Sequence, residues 1–138
     1  MTCLETYSTL RIFSDSMHPS EISQRLGING VEELPRDLSS QYRPRRETNY
    51  WGWCTRPAVE SNDGIVHLKF IINSLEPVKN KLRALQDAGC KTDIVVYWVS
   101  LGQGGPELSI EIMRGLSALQ LPIWWDVYFG NESDYESA

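Results

Sequence analysis

The chain has 138 residues, which is enough for one ordinary domain and too few for two. Its 41% hydrophobic residues can form a core, and its 22% charged residues exclude a chain embedded in a membrane. The 13 basic side chains are outnumbered by 18 acidic ones, so the formal net charge is -5. This balance disfavours general nucleic-acid binding, which depends on a net basic surface.

The cysteines and the N-terminus indicate the compartment. Cys3, Cys54 and Cys90 are odd in number and widely spaced, which is not the pattern of a disulfide framework. The N-terminus lacks a basic stretch followed by an apolar run, and no apolar run reaches the roughly 20 residues that span a bilayer. We therefore expect a cytoplasmic protein that makes no contact with membranes.

The first elements are a strand and a short helix. Residues 7–13 mix β-branched and aromatic side chains with alternating polarity, which predicts a strand. Pro19 is tolerated at a first helical position, and Gly27 is a residue that commonly follows the end of a helix. Together they predict a helix over residues 19–26.

The next part of the chain predicts a long loop and a second strand. Residues 28–48 contain few apolar side chains and several turn-forming residues, which predicts a loop. Residues 50–54 follow as a strand. Within it Trp51 and Trp53 share one face, because successive side chains of a strand point to opposite sides.

The middle of the chain predicts helix and then strand. Apolar residues recur with helical spacing over residues 68–85, and Pro77 predicts a kink or a break into two helices. Gly89 is expected to cap the end of this segment. Residues 92–101 are rich in β-branched and aromatic side chains and form the strongest predicted strand.

The last elements are a helix, a strand and a tail. Ser109 is expected to cap a helix that ends near Leu119, and residues 122–129 predict the final strand. Residues 131–138 contain three acidic residues and almost no apolar ones. This composition predicts a disordered acidic tail.

The order β-α-β-α-β-α-β predicts a single α+β domain over residues 1–130. We expect a four-stranded mixed sheet with about three helices packed mainly on one face, in a loosely ferredoxin-like arrangement.

Several short motifs resemble a known family. They are the turn and helix start at residues 14–22, the pair Leu26-Gly27, Trp51, Trp53, the junction Leu75-Glu76-Pro77, Trp98 with its following glycine-rich loop, Leu108-Ser109 and Asp126-Val127-Tyr128. With them the sequence resembles the bacterial domain-of-unknown-function family numbered 4279, over residues 7–129. It departs from the family pattern at Ser14, where glycine is common, and at His18, where an acidic residue is common. The resemblance implies a single bacterial domain and attaches no activity to it.

Metal binding and catalysis receive little support from the sequence. His18 and His67 are the two histidines, and no cysteines have the close spacing of metal ligands, so we expect no metal and no cofactor. Cys54, His67 and Asp63 are the one imaginable thiol-based catalytic set. We expect Cys54 to have a structural role instead.

An arginine cluster in the long loop is a candidate anion site. Arg43, Arg45 and Arg46 precede Trp51 and Trp53 in an otherwise acidic protein. Guanidinium groups bind phosphate and carboxylate in a bidentate manner, and aromatic rings can stack on a base. The alternative is a solvated loop whose arginines pair with the chain's own acids.

The last strand offers a second candidate surface. Trp124, Asp126 and Tyr128 share one face, which is suited to partner binding because tryptophan and tyrosine are frequent in binding hot spots. The opposite face is expected to join the core; it holds Ile123, Trp125, Val127 and Phe129. We expect the long loop to cover Trp124 and Tyr128 and to leave a groove at its edge.

Three functional hypotheses remain open. The first is a non-enzymatic protein-interaction domain, similar to an immunity protein or an antitoxin, whose acidic surface complements a basic partner. The second is a module that binds a small anionic ligand, such as a nucleotide or a phosphorylated metabolite. The third is an uncharacterised enzyme that uses Asp126, Cys54 or His67.

Overall fold

The computed structural model describes residues 3–39 and 47–130. In this part of the chain the strands are Cys3–Ser14 (β1), Glu32–Leu34 (β2), Asn49–Cys54 (β3), Lys91–Ser100 (β4) and Ile123–Phe129 (β5). The α-helices are Pro19–Leu26 (α1), Gly64–Leu75 (α2), Lys79–Asp87 (α3) and Ile110–Ala118 (α4), and Glu76–Val78 is a 3-10 turn. The predicted arginine cluster at residues 43–46 and the predicted acidic tail lie outside the described residues.

The strands form one five-stranded sheet in the order β2-β3-β1-β4-β5. Neighbouring strands are antiparallel, except that β4 and β5 run parallel. The α+β class and the mixed sheet are thus confirmed. The prediction of four strands is wrong, and the order β-α-β-α-β-α-β is not the observed one, because β2 pairs with β3 before α2 begins.

The helix boundaries follow from local sequence. Pro19 occupies the first position of α1, and the side chain of His18 accepts a hydrogen bond from the backbone N–H of Ser20. Gly27 ends the helix with a φ of 79°, a left-handed conformation that glycine adopts without strain. The predicted break at Pro77 is confirmed, because the 3-10 turn separates α2 from α3.

The core lies between the helices and one face of the sheet. The sheet contributes Leu10, Ile12, Trp51, Ile94 and Val96, and the helices contribute Ile22, Leu26, Leu68, Ile71, Leu75, Leu82, Leu85, Ile112 and Leu116. Each fully buried aliphatic side chain stabilises the fold by roughly 1.5–3 kcal/mol relative to an exposed one. The strands therefore have an inner face, which the helices cover, and an outer face.

Candidate binding surface

The outer face of the sheet, here called the open face, carries an unusual density of aromatic side chains. The pleat and the register place on it Tyr7, Thr9, Arg11 and Phe13 from β1, Tyr50 and Cys54 from β3, Val95 and Tyr97 from β4, and Trp124, Asp126 and Tyr128 from β5. In the described part of the chain, every helix packs on the opposite side of the sheet.

Three tyrosines from neighbouring strands form a row across the open face. The rings of Tyr7 and Tyr97 are stacked with centroids 4.7 Å apart, and those of Tyr97 and Tyr128 are 5.4 Å apart. The guanidinium carbon of Arg56 lies 4.3 Å from the centre of the Tyr7 ring. We call Tyr7, Tyr97 and Tyr128 the tyrosine row. It places aromatic area on β1, β4 and β5, with a cation at one end.

The described charged side chains on the open face include more carboxylates than guanidinium groups. Arg11 forms two hydrogen bonds with Asp93, at 2.8 and 2.7 Å, and this contact raises the pKa of the Arg11 guanidinium. Arg56 is paired with Glu5. Asp126 and Glu32 form no ion pair with any residue that the structure describes, so both arginines are neutralised and two carboxylates remain.

The surroundings of three tyrosines on this face raise the pKa values of their phenol groups. Burial raises the pKa of Tyr50 and also that of Tyr7. The pKa of Tyr128 is raised by its hydrogen bond to Asp126, since ionisation of the phenol would break that bond. At neutral pH these tyrosines therefore present neutral O–H donors on the open face.

The described part of the open face contains shallow depressions, of which two lie beside the tyrosine row. One of about 290 Å³ lies between β1 and β3 and is lined by Tyr7, Glu32, Tyr50, Cys54 and Arg56 among others. A second of about 200 Å³ lies beside Tyr97 and Asp126. Small-molecule sites commonly enclose about 300–1,000 Å³, so these depressions are at or below the lower end of that range.

The predicted site residues are divided between the two faces. Trp124, Asp126 and Tyr128 lie together on the open face, with Trp124 63% exposed and Tyr128 51% exposed. The described residues therefore do not cover these two side chains, contrary to the expectation. β2 lies within the predicted loop, and it pairs with β3 at the opposite edge of the sheet from β5.

The middle tryptophans belong to the inner side of the sheet. Trp51 is fully buried, and its indole N–H donates a 2.8 Å hydrogen bond to the hydroxyl of Ser23. Trp53 stacks on Phe70 of α2 at a centroid distance of 5.7 Å. The prediction that the two share a face is confirmed, and this location removes Trp51 from contact with any ligand.

The imagined catalytic set is not assembled. Both ring nitrogens of His67 are engaged inside the protein, because Nε2 donates to the Ser61 carbonyl at 2.8 Å and Nδ1 accepts from the Thr55 hydroxyl at 2.6 Å. The donor at Nε2 follows from the partner, since a carbonyl only accepts. Asp63 caps α2, whereas Cys54 lies on the open face. In the residues described, no group of three metal-binding side chains occurs either.

Sequence reasoning missed Tyr7, Tyr97 and Arg56. Strand alternation could have placed both tyrosines on the outer face, because Tyr7 lies next to buried Ser8 and Tyr97 lies next to buried Val96. What the sequence did not reveal is the pairing of β1 with β4, which places the two rings opposite each other. Arg56 lies beyond the end of β3, and its position over Tyr7 depends on the turn that follows.

Comparison with known proteins agrees with the sequence resemblance. A family model described as "Domain of unknown function (DUF4279)" matches residues 4–130. The chain belongs to this family. No curated protein and no solved structure matches it. Among the residues described, no helix has the length and apolar character needed to cross a membrane.

Proposed function

We propose that this protein is a non-enzymatic protein-binding domain and that the open face is its binding surface. The observation that carries the proposal is the tyrosine row, flanked by Arg56 and by exposed Trp124, on a sheet face that no described helix covers. Tyrosine, tryptophan and arginine are the residue types most enriched in interface hot spots.

The shape of the open face favours a macromolecular partner over a small one. Its depressions are shallow, whereas the aromatic side chains extend over β1, β4 and β5. A small ligand is bound by a concave site that surrounds most of its surface, while a protein partner can cover a broad, nearly flat one. The described surface therefore suits a protein.

We infer that the partner is basic, in the manner of the toxins that immunity proteins and antitoxins bind. The net charge of -5 supports this inference, as do the carboxylates of Asp126 and Glu32, which form no ion pair with a described residue. Complementary charge speeds encounter and selects against acidic competitors. Deletion of the gene with its neighbours retained tests the role: growth arrest caused by an adjacent gene supports it, and normal growth contradicts it.

The binding surface is tested with surface variants. The partner captured by the wild-type chain is purified, and its affinity is measured for Tyr97→Ala and Trp124→Ala, with Met113→Ala as control. Met113 is an exposed apolar side chain on α4, on the helical side of the sheet. We expect each open-face variant to weaken binding at least about thirtyfold, which corresponds to roughly 2 kcal/mol. Equal loss in the control variant would contradict the proposal.

A small anionic ligand is the second candidate, and the depression beside Arg56 supports it. The site places a guanidinium next to Tyr7 and Tyr50, where an aromatic ring could stack. An anion would have to replace Glu5 as the partner of Arg56. Calorimetric titration with ATP and with a sugar phosphate separates the candidates: saturable binding that Arg56→Ala abolishes favours the small ligand, and absence of heat favours the protein partner.

A further inference from the structure

The outer edge of β5 borders the open face and offers a different kind of contact, through its backbone. β5 is the last strand in the sheet order, and in the described part of the chain no strand pairs with its outer side. Its exposed side chains are large and apolar: Trp124 is 63% exposed, Trp125 40%, Val127 42%, Tyr128 51% and Phe129 81%. A long apolar edge strand is a template for pairing with another strand.

The hydrogen bonds of β5 show which backbone groups face outward. The carbonyl of Pro122 accepts from Ile94 N–H at 2.9 Å, and Gly130 N–H donates to the Ser100 carbonyl at 3.0 Å. Even-numbered residues of β5 therefore direct their N–H and C=O groups to β4. Because these directions alternate along a strand, Trp125, Val127 and Phe129 direct theirs to the outer edge.

We propose that two copies of this chain associate through antiparallel pairing of their β5 strands, with Val127 on the twofold axis. The two sheets then become one continuous ten-strand sheet of the kind that β-strand addition produces. This inference concerns self-association and does not depend on the proposed binding of another protein.

Residue pairing favours this register over its neighbours. With Val127 opposite Val127, the two Val127 residues exchange two backbone hydrogen bonds. Each of the two Trp125–Phe129 pairs exchanges two more, which gives about six across the interface. On the open face each Asp126 lies opposite the Tyr128 of the second copy, so the two Asp126 carboxylates do not face each other. A register centred on Asp126 places two like charges directly opposite each other, which is destabilising.

The area available matches what a stable dimer needs. The four exposed aromatic side chains of β5 offer about 500 Å² per copy, from their exposed fractions and the roughly 200 Å² that such a side chain can bury. Two copies therefore offer about 1,000 Å² of exposed aromatic surface, which is an upper bound on what these side chains can bury and lies at the lower limit for a specific interface. Val127 and the backbone add to this area.

The mass of the full chain in solution is the first test. We expect light scattering or sedimentation to give twice the chain mass of 15.8 kDa at micromolar concentration. A protein that stays monomeric at about a hundred times that concentration would overturn the proposal. The mass of a chain that lacks residues 131–138 is measured in the same way. If the shortened chain is a dimer and the full chain is a monomer, the tail occupies the edge of β5, and the proposal is overturned.

Val127→Pro tests the edge itself. Proline removes the outward N–H at the twofold axis and leaves the hydrogen bonds of β5 to β4 intact, since those use the even-numbered residues. Val127→Thr is the matched control, because it keeps the N–H and the branched shape. We expect the dissociation constant to rise at least tenfold for the proline variant and less than threefold for the threonine variant, with both circular dichroism spectra unchanged. Equal affinities would overturn the proposal.

Cross-linking tests the register, in a chain that carries Cys54→Ser. Asp126→Cys and Tyr128→Cys are prepared separately and then mixed under mild oxidation. Directly opposed residues that are not hydrogen bonded to each other have Cα atoms about 4.5 Å apart, which a disulfide can span. We expect a disulfide-linked dimer only in the mixture. A linked dimer from Asp126→Cys alone would place the axis at Asp126 and overturn the proposed register.

Discussion

Tyr7 and Tyr97 lie directly opposite each other on β1 and β4, and their rings stack at a centroid distance of 4.7 Å. This pair forms one end of the tyrosine row, and it lies on the side of the sheet away from the helices. Cross-strand aromatic pairs contribute to the stability of a sheet even where no second layer covers them. The stacking thus favours one relative orientation of these two rings.

The stacking of the two rings is measurable as a coupling energy. We expect Tyr7→Leu and Tyr97→Leu together to destabilise the protein by about 0.5–1.5 kcal/mol less than the sum of the single changes, because each single change already removes the shared contact. Urea denaturation of the four proteins in the cycle gives this value. A cycle between Tyr7 and the distant Arg83 of α3 should be additive; coupling there of the same size would contradict the stacking interpretation.

The hydroxyl of Thr55 joins β1 to α2. It accepts a 3.0 Å hydrogen bond from Ser8 N–H and donates to His67 Nδ1 at 2.6 Å, and all three residues are buried. We expect Thr55→Val to lower the free energy of unfolding by about 1–3 kcal/mol, because it leaves two buried polar groups unpaired. Thr55→Ser keeps the hydroxyl and should cost less. Chemical denaturation distinguishes the two variants, and equal losses would show that the lost methyl group matters instead.

Gly30 allows a close approach to the buried tryptophan. A Cβ atom at this position would lie 2.6 Å from Nε1 of Trp51 and 2.8 Å from its Cδ1. We therefore expect Gly30→Ala to displace the indole, to break its hydrogen bond to Ser23 and to reduce stability by about 1–3 kcal/mol. Gly102→Ala is the control, since a Cβ there meets no atom within 4 Å. Near-ultraviolet circular dichroism should change for Gly30→Ala alone.

Alkaline pH should destabilise the protein through the tyrosines. Burial raises the pKa values of Tyr7 and Tyr50 above the ordinary 10, so the folded state keeps protons that the unfolded state loses. The free energy of unfolding is therefore unaffected below about pH 9 and decreases as the pH rises through 10. Denaturation series between pH 8 and 11 measure this slope. Tyr50→Phe should flatten it, and an unchanged slope in that variant would contradict the assignment.

The sequence predicted most elements because their signals are local. Pro19, Gly27 and Pro77 mark helix boundaries through backbone constraints that act on single residues, and the structure confirms all three. β2 escaped prediction because its three residues are a polar pair and one leucine, with no alternation to detect. It exists through its backbone pairing with β3, which is a tertiary contact.

Of the open face, the sequence predicted only the residues on β5. The reason is again that strand pairing is a tertiary contact. Alternation alone groups Trp124 with Asp126 and Tyr128, but it does not reveal which strands lie beside β5. The expectation that Trp125, Val127 and Phe129 join the core was wrong because β5 lies at the edge of the sheet, where these side chains remain exposed. Strand order depends on contacts between residues far apart in sequence. It decides both which strands lie beside β5 and whether the side chains of β5 are buried.

The central position of β1 has a consequence for how the chain reaches its fold. β1 comes first in the chain, yet its partners β3 and β4 end at Cys54 and Ser100. Most of its contacts therefore close large loops, which makes folding slower than in a protein built from local contacts. A ribosome must release about a hundred residues before β1 can be flanked on both sides. During that interval Leu10 and Ile12 lack their final neighbours, so nascent β1 is the segment on which a chaperone is expected to act.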